Sequence, residues 1–130
     1  MRYHESEEMY LETILLLQKK NQFVRSIDIA MELGYSKPSV SVAVKKLVSE
    51  GFIIVEVGGK IELTELGKQK AIDIYDRHRG ITELLVRIGA NWVVAEENAC
   101  RIEHVVSQEL IGAVRDFLEA GDETERTGYL

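Results

Sequence analysis

Apolar residues recur along this chain with a helical period at both ends and a strand-like run in the middle. Residues 5–19 read as an amphipathic helix, with Met9, Ile14, Leu16 and Leu17 on one side and Glu5, Glu8, Glu12 and Lys19 on the other; Ser6 suits its cap. Phe23-Val24-Arg25 is a short extended link. Ser26 is placed as the N-cap of a helix running to Leu33, and Gly34 stops it. Ser36 caps the next helix, with Pro38 in the first turn, where its missing N–H costs nothing. That helix runs to about Glu50 on a stripe of Val40, Val44, Leu47 and Val48, and Gly51 ends it. The β-branched run 52–57, Gly58-Gly59 and the return 60–63 predict a β-hairpin with a two-residue primed turn.

Thr64 then caps a long helix carrying Ala71, Ile74, Tyr75, Ile81, Leu84, Leu85 and Ile88, with Gly67 tolerated near its start. Gly89-Ala90-Asn91 breaks the pattern. A helix from about Trp92 to Ser107 and an amphipathic piece from about Gln108 to Leu118 follow. The expected fold is mostly α. Residues 1–63 form a winged helix-turn-helix of three helices plus a β-hairpin wing. Residues 64–120 form an α-helical domain for metal binding and dimerisation, with Trp92 and the Leu84/Leu85/Ile88 stripe as core or dimer surface. Residues 121–130 are expected as a flexible tail.

Composition changes this picture in two ways. At 130 residues, 45% hydrophobic and 29% charged, the chain has an ordinary globular balance. It has no apolar run of 18 residues, no secretory h-region and a single cysteine, so a cytoplasmic protein without membrane contact is expected. The net charge of −6 is unevenly spread. Residues 61–130 hold fourteen acidic against eight basic groups, whereas residues 21–60 hold four against five. The reading half is therefore nearly neutral, and phosphate attraction must come from a few placed side chains and from doubling the surface in a dimer.

The helix from Ser36 to Lys46 is expected to enter the major groove of double-stranded operator DNA. Ser36, Lys37, Pro38, Ser39 and Ser41 are candidates for base edges or nearby phosphates. Lys45, Lys46 and, in the wing, Lys60 are candidates for phosphates. The stretch lacks Arg, Asn and Gln, the best bidentate readers, so DNA shape should contribute to specificity.

Cys100, Glu103 and His104 stand at i, i+3 and i+4, which on a helix puts thiolate, carboxylate and imidazole on one face. Those donors suit a divalent transition metal and not calcium or magnesium. The bland alternative is a buried Cys, a solvated Glu and a His paired to a neighbour. His78 on the preceding helix, and Met9 with Glu12 one turn apart on the first, favour a site. An ion joining the first helix to the helix of Cys100 would release crowded carboxylates from mutual repulsion and set the spacing of two recognition helices. The chain has no His-Glu-x-x-His, no Gly-rich phosphate loop and no Gly-x-Ser-x-Gly, so an enzyme is not expected. Two alternatives remain at this point: a winged-helix regulator with Cys100 as a redox sensor and no metal requirement, and a metal-buffering or interaction module that never binds DNA.

Glu8-Met9-Tyr10-Leu11, Ser36-Lys37-Pro38-Ser39-Val40-Ser41, Leu63-Thr64-Glu65-Leu66-Gly67, Arg77-His78-Arg79 and Glu97-Asn98-Ala99-Cys100-Arg101-Ile102-Glu103-His104 together resemble the metal-dependent repressors typified by the diphtheria toxin repressor and the manganese transport regulator. The resemblance spans nearly the whole chain. It implies a cytoplasmic homodimer that binds a palindromic operator when loaded with Fe(II) or Mn(II) and represses metal-uptake genes. Met9, Cys100, Glu103 and His104 match the primary site of the iron-responsive members. Sulfur donors where the manganese-responsive members carry Asp and Glu tilt the preference to Fe(II). Glu12 and His78 match positions of the manganese-type binuclear site, and His78 also matches the iron-type ancillary site. The ancillary set departs from the family's pattern, with Thr82 where a carboxylate is expected and Glu96 where a His is expected. The chain also lacks the C-terminal SH3-like domain of the longer members, which marks it as a short form or a truncated one.

Overall fold

The structure, a computed structural model, describes residues 7–127. Its elements run α1 (Glu7–Lys20), α2 (Ser26–Leu33), α3 (Lys37–Ser49), β1 (Ile53–Val55), β2 (Ile61–Leu63), α4 (Glu65–Arg87), α5 (Trp92–Ile102) and α6 (Gln108–Thr127). The chain divides into two compact units, and the division falls inside α4, between Asp73 and Ile74.

The N-terminal unit buries Leu11, Ile14, Val24, Ile29, Val40, Leu47, Ile53, Ile61 and Ala71 in one core. On α1 the buried face is Tyr10, Leu11, Ile14 and Leu17, while Leu16, expected inside, is exposed. Val48 of α3 is likewise exposed, and Val40, Val44 and Leu47 carry the packing. The proposed cap Ser6 lies outside the described residues. The cap of α2 is Arg25, not Ser26: its backbone N–H donates to the Asp28 carboxylate at 2.8 Å. The Asp28 carboxylate reaches back to the N–H of the cap residue itself, while the Arg25 carbonyl takes the first helical N–H groups, so the helix starts one residue earlier than a Ser26 cap would place it. Gly34, at φ 72°, ends α2 in the left-handed conformation, and only Tyr35 and Ser36 separate it from α3.

The wing is a short antiparallel hairpin in which Ile53 pairs with Leu63 and Val55 with Ile61. Its connection differs from the primed turn expected. The Gly59 N–H closes a turn on the Glu56 carbonyl at 2.9 Å, and the Glu56 N–H reaches the Lys60 carbonyl at 2.8 Å. Three residues, Val57 to Gly59, therefore form the loop. Gly58 supplies the positive φ that the third position of this turn demands. The Ile61 N–H also donates to the Val24 carbonyl at 2.8 Å, which docks the extended link onto the hairpin.

Thr64 caps α4 by accepting the Gly67 N–H at 3.1 Å and donating its hydroxyl to the Gly51 carbonyl at 2.6 Å. Gly67 is more than tolerated: a Cβ there would collide with the Phe52 carbonyl, so glycine lets α4 begin hard against the hairpin.

In the C-terminal unit, Ile81 of α4, Ala99 of α5 and Ile111 of α6 form the centre of a second core, with Leu85, Ile102 and Val106 against it. Asn91 caps α5 by accepting the Val94 N–H at 3.0 Å. Two extents differ from expectation. The helix carrying the metal motif stops at Ile102 and does not reach Ser107, and α6 continues to Thr127, so the backbone of residues 121–127, expected as tail, is helical.

Candidate metal centre

The C-terminal unit gathers its candidate donors around one side chain, Glu103. Cys100 occupies the last turn of α5. Glu103 is the residue at which the helix ends, at φ −59° and ψ −24°, and its N–H still bonds the Ala99 carbonyl at 2.9 Å. The near-helical geometry keeps Cys100 and Glu103 on one face. His104 follows in a tighter turn, with its N–H 3.4 Å from the Arg101 carbonyl. The motif thus straddles a helix terminus, where the sequence pattern placed it mid-helix.

Arg77 of α4 secures that terminus. Its Nη1 donates to the Glu103 carbonyl at 3.0 Å, and the residue is buried. The last carbonyls of a helix lack intrahelical partners, and a cation there also suits the helix dipole. The sequence reading missed Arg77; its place beside His78 was the available signal.

His78, also on α4, faces the cluster. One ligand atom from each of His78, Cys100 and Glu103 lies within 4.8 Å of the other two. His78 Nδ1 stands 3.2 Å from Glu103 Oε2, and His104 Nε2 stands 3.5 Å from Glu103 Oε1. The carboxylate therefore turns one oxygen to each imidazole. Glu103 is fully buried, yet neither of its oxygens has an aligned hydrogen bond, and the same holds for His78 Nδ1. Leaving an ionised carboxylate in this state costs several kcal/mol unless charge compensates it (~2–7 kcal/mol even for a neutral polar group). Cys100 first, then Glu103, raise the His78 pKa from 6.5 to about 10, against the opposing effect of burial. The metal-free cluster thus compensates its negative charge with an imidazolium. Sulfur, nitrogen and oxygen donors converging with unaligned lone pairs fit a divalent transition metal. On its other side, His78 Nε2 is 3.9 Å from the half-exposed Glu96 carboxylate.

In the N-terminal unit, Met9 and Glu12 lie one turn apart on α1. Met9 is half-buried, its Sδ accepting from the Tyr35 hydroxyl at 3.9 Å, and Glu12 is buried although the helical pattern assigned it to the polar side. Thr82, at the position where a carboxylate is expected, donates its hydroxyl to the His78 carbonyl at 2.7 Å and is buried.

The candidate DNA contacts lie in the same unit. Lys37, Pro38, Ser39, Ser41, Lys45 and Lys46 are exposed on α3. Ser36 is exposed too, but its hydroxyl caps the helix, accepting the Ser39 N–H at 3.3 Å and lying 3.0 Å from the Ser39 hydroxyl. Lys60 is held by Glu62 at 3.0 Å, which raises its pKa and offsets its charge. Arg25, not singled out in the sequence, stacks its guanidinium 4.7 Å over the Phe23 ring.

A winged helix-turn-helix and a soft-donor cluster on separate units define a class, the metal-responsive DNA-binding proteins. Comparison with known proteins agrees. Residues 3–59 match the iron dependent repressor N-terminal DNA binding domain, and residues 64–127 match the iron dependent repressor metal binding and dimerisation domain. The chain belongs to the iron-dependent repressor family, a family of DNA-binding transcriptional repressors and not of enzymes. An uncharacterised helix-turn-helix-type transcriptional regulator of Methanocaldococcus jannaschii is 33% identical over 117 residues, covering 88% of this chain and 94% of that protein. The iron-dependent repressor IdeR of Mycobacterium tuberculosis is 36% identical over 107 residues, covering 82% of this chain and 46% of its own length. Among solved structures, IdeR of T. acidophilum superposes with a TM-score of 0.75 at 29% identity, covering 98% of this chain and 56% of that one. The chain thus spans about half the length of the IdeR relatives and nearly all of the Methanocaldococcus jannaschii one. Family membership favours metal-dependent regulation over the metal-free redox reading of Cys100 and over a module that never binds DNA. Among the described residues, no helix is long and apolar enough to cross a membrane.

Proposed function

We propose that this chain is a cytoplasmic, homodimeric repressor that binds double-stranded operator DNA when loaded with a divalent transition metal, Fe(II) in preference to Mn(II). The observation that carries the reading is Glu103, a buried carboxylate turned toward two imidazoles and a thiol with no aligned hydrogen bond. We assign His78, Cys100, Glu103 and His104 as ligands on their convergence, and Met9 and Glu12 on donor type and spacing. A bound ion supplies positive charge that a proton on His78 otherwise provides. Glu103, with an oxygen toward each imidazole, would hold metal together with His78 and His104. The sulfurs of Cys100 and Met9 favour iron over the harder manganese.

Arg77 keeps the turn of Glu103 and His104 in place, so the donors are held before loading. Met9 and Glu12 would add donors from α1, on the unit that carries the recognition helix, and so couple metal loading to DNA binding. On α3, Lys37, Pro38, Ser39, Ser41, Lys45 and Lys46 face the DNA, with Ser36 serving first as the helix cap. Lys60 contributes less than its position suggests, because Glu62 already holds it.

Gel shifts with a randomised duplex pool, with and without anaerobic Fe(II) or Mn(II), test this. Metal-dependent retardation is expected. Retardation that ignores metal but responds to peroxide would replace this reading with the redox one, and no retardation would remove DNA from the function.

A further inference from the structure

Val42 has no place in the core. It is 69% exposed, in the middle of α3, while Val40, Val44 and Leu47 of the same helix are buried. A β-branched residue is a mediocre choice for a solvated helix position, where Ala, Lys or Gln would serve the helix better. Its neighbours explain the exposure. Ser39 lies one turn before it and Lys46 one turn after, and the three line one open groove completed by Ala43, Leu47 and, from α1, Glu7 and Tyr10. Val42 is therefore the apolar centre of a row whose ends are a hydroxyl and an ammonium. Ser41 and Lys45 flank that row, also exposed.

We propose that Val42 is a specificity-determining residue of the DNA interface and that it reads the C5-methyl group of a thymine in the major groove. The inference rests on the DNA-binding function proposed above and deepens it. Thymine alone offers a methyl group in that groove, so an isopropyl group there discriminates thymine from the other bases without a hydrogen bond. This answers the absence of bidentate Arg, Asn and Gln from α3: part of the readout is apolar. Ser39 and Lys46, on either side, can engage phosphate or a base edge and keep Val42 in register.

The test is a thermodynamic cycle. A duplex is selected from a randomised pool with the Mn(II)-loaded chain, and each thymine is replaced in turn by deoxyuridine, which removes only the methyl. At one thymine per half-site the replacement should weaken wild-type binding about fourfold, the worth of one buried methyl-sized group. Val42→Ser should bind the thymine duplex about fourfold more weakly and should lose nothing further on the uracil duplex. Val42→Thr, which keeps one methyl, should recover part of the thymine preference. Because Val42 is exposed, these variants should melt with the wild type. The proposal falls if no thymine methyl affects wild-type binding, or if uracil costs the serine variant as much as the wild type. It also falls if Val42→Ser alters the sedimentation coefficient and not the thymine preference, since a second copy would then cover the residue. Failure of the metal-loaded wild type to retain any duplex would instead overturn the DNA-binding function itself.

Discussion

Glu103 is the side chain on which the candidate donors of the C-terminal unit converge. Glu103→Ala should abolish metal-stimulated DNA binding while leaving the far-ultraviolet circular dichroism unchanged; a variant that still responds to metal would remove Glu103 from the ligand set. His78 sets the pH behaviour. Its pKa in the folded chain, about 10, exceeds the ordinary 6.5, so the folded state holds the proton more tightly than the unfolded one. That contribution to metal-free stability is complete below about pH 6.5 and is lost as pH rises through about 10. Metal and proton compete for the same nitrogen, so metal affinity should climb over this range, by about tenfold per pH unit for each proton displaced. Thermal melts of the metal-free chain, set beside metal titrations at the same pH values, should therefore slope in opposite directions, and His78→Asn should flatten the first. The candidate donors of the C-terminal unit could be proposed from the sequence because i, i+3 and i+4 spacing is a local matter. The full burial of Glu103 and the grip of Arg77 on its carbonyl were not, since Arg77 and Glu103 stand 26 positions apart and meet only in the folded chain.

Capping cues held at Ser36 and Thr64 and slipped at Ser26, and both the periodic cue at the end of α5 and the glycine cue in the wing misled. Ser36, Thr64 and Asn91 cap helices with their own side chains, and the first two were identified as caps from sequence. The end of α5 was misplaced by five residues, because the pattern of Cys100, Glu103 and His104 continues a helical spacing that the backbone abandons at Ile102. The wing turn was misread because Gly58-Gly59 also suits a longer loop in which Val57 takes part. Two glycines of α4 provide a test with opposite signs. Gly80 has open space where a Cβ would go, so Gly80→Ala should stabilise the chain by ~0.5–1 kcal/mol. Gly67→Ala meets the Phe52 carbonyl and should cost ~1–3 kcal/mol instead. Urea denaturation of the metal-free protein resolves both; equal effects would mean that α4 does not start against the hairpin.

Across the whole chain, the sequence announced two functions and the structure places each candidate set on its own compact unit, except that the ligands assigned to α1 belong to the unit that reads DNA. A ligand that binds only the folded chain should raise its stability by ~2.7 kcal/mol at a hundredfold excess over its dissociation constant. Mn(II) should therefore raise the melting temperature of the wild type and leave that of Glu103→Ala unmoved. The outward residues of α3 carry none of the burden of folding. Ser39, Ser41, Val42, Lys45 and Lys46 face solvent, while Val40, Val44 and Leu47 hold the helix in place. Under the proposed function, mutation would redraft the recognised text one letter at a time without touching the architecture or the candidate metal centre. A lineage that keeps the same metallic trigger is free to wire it to new genes.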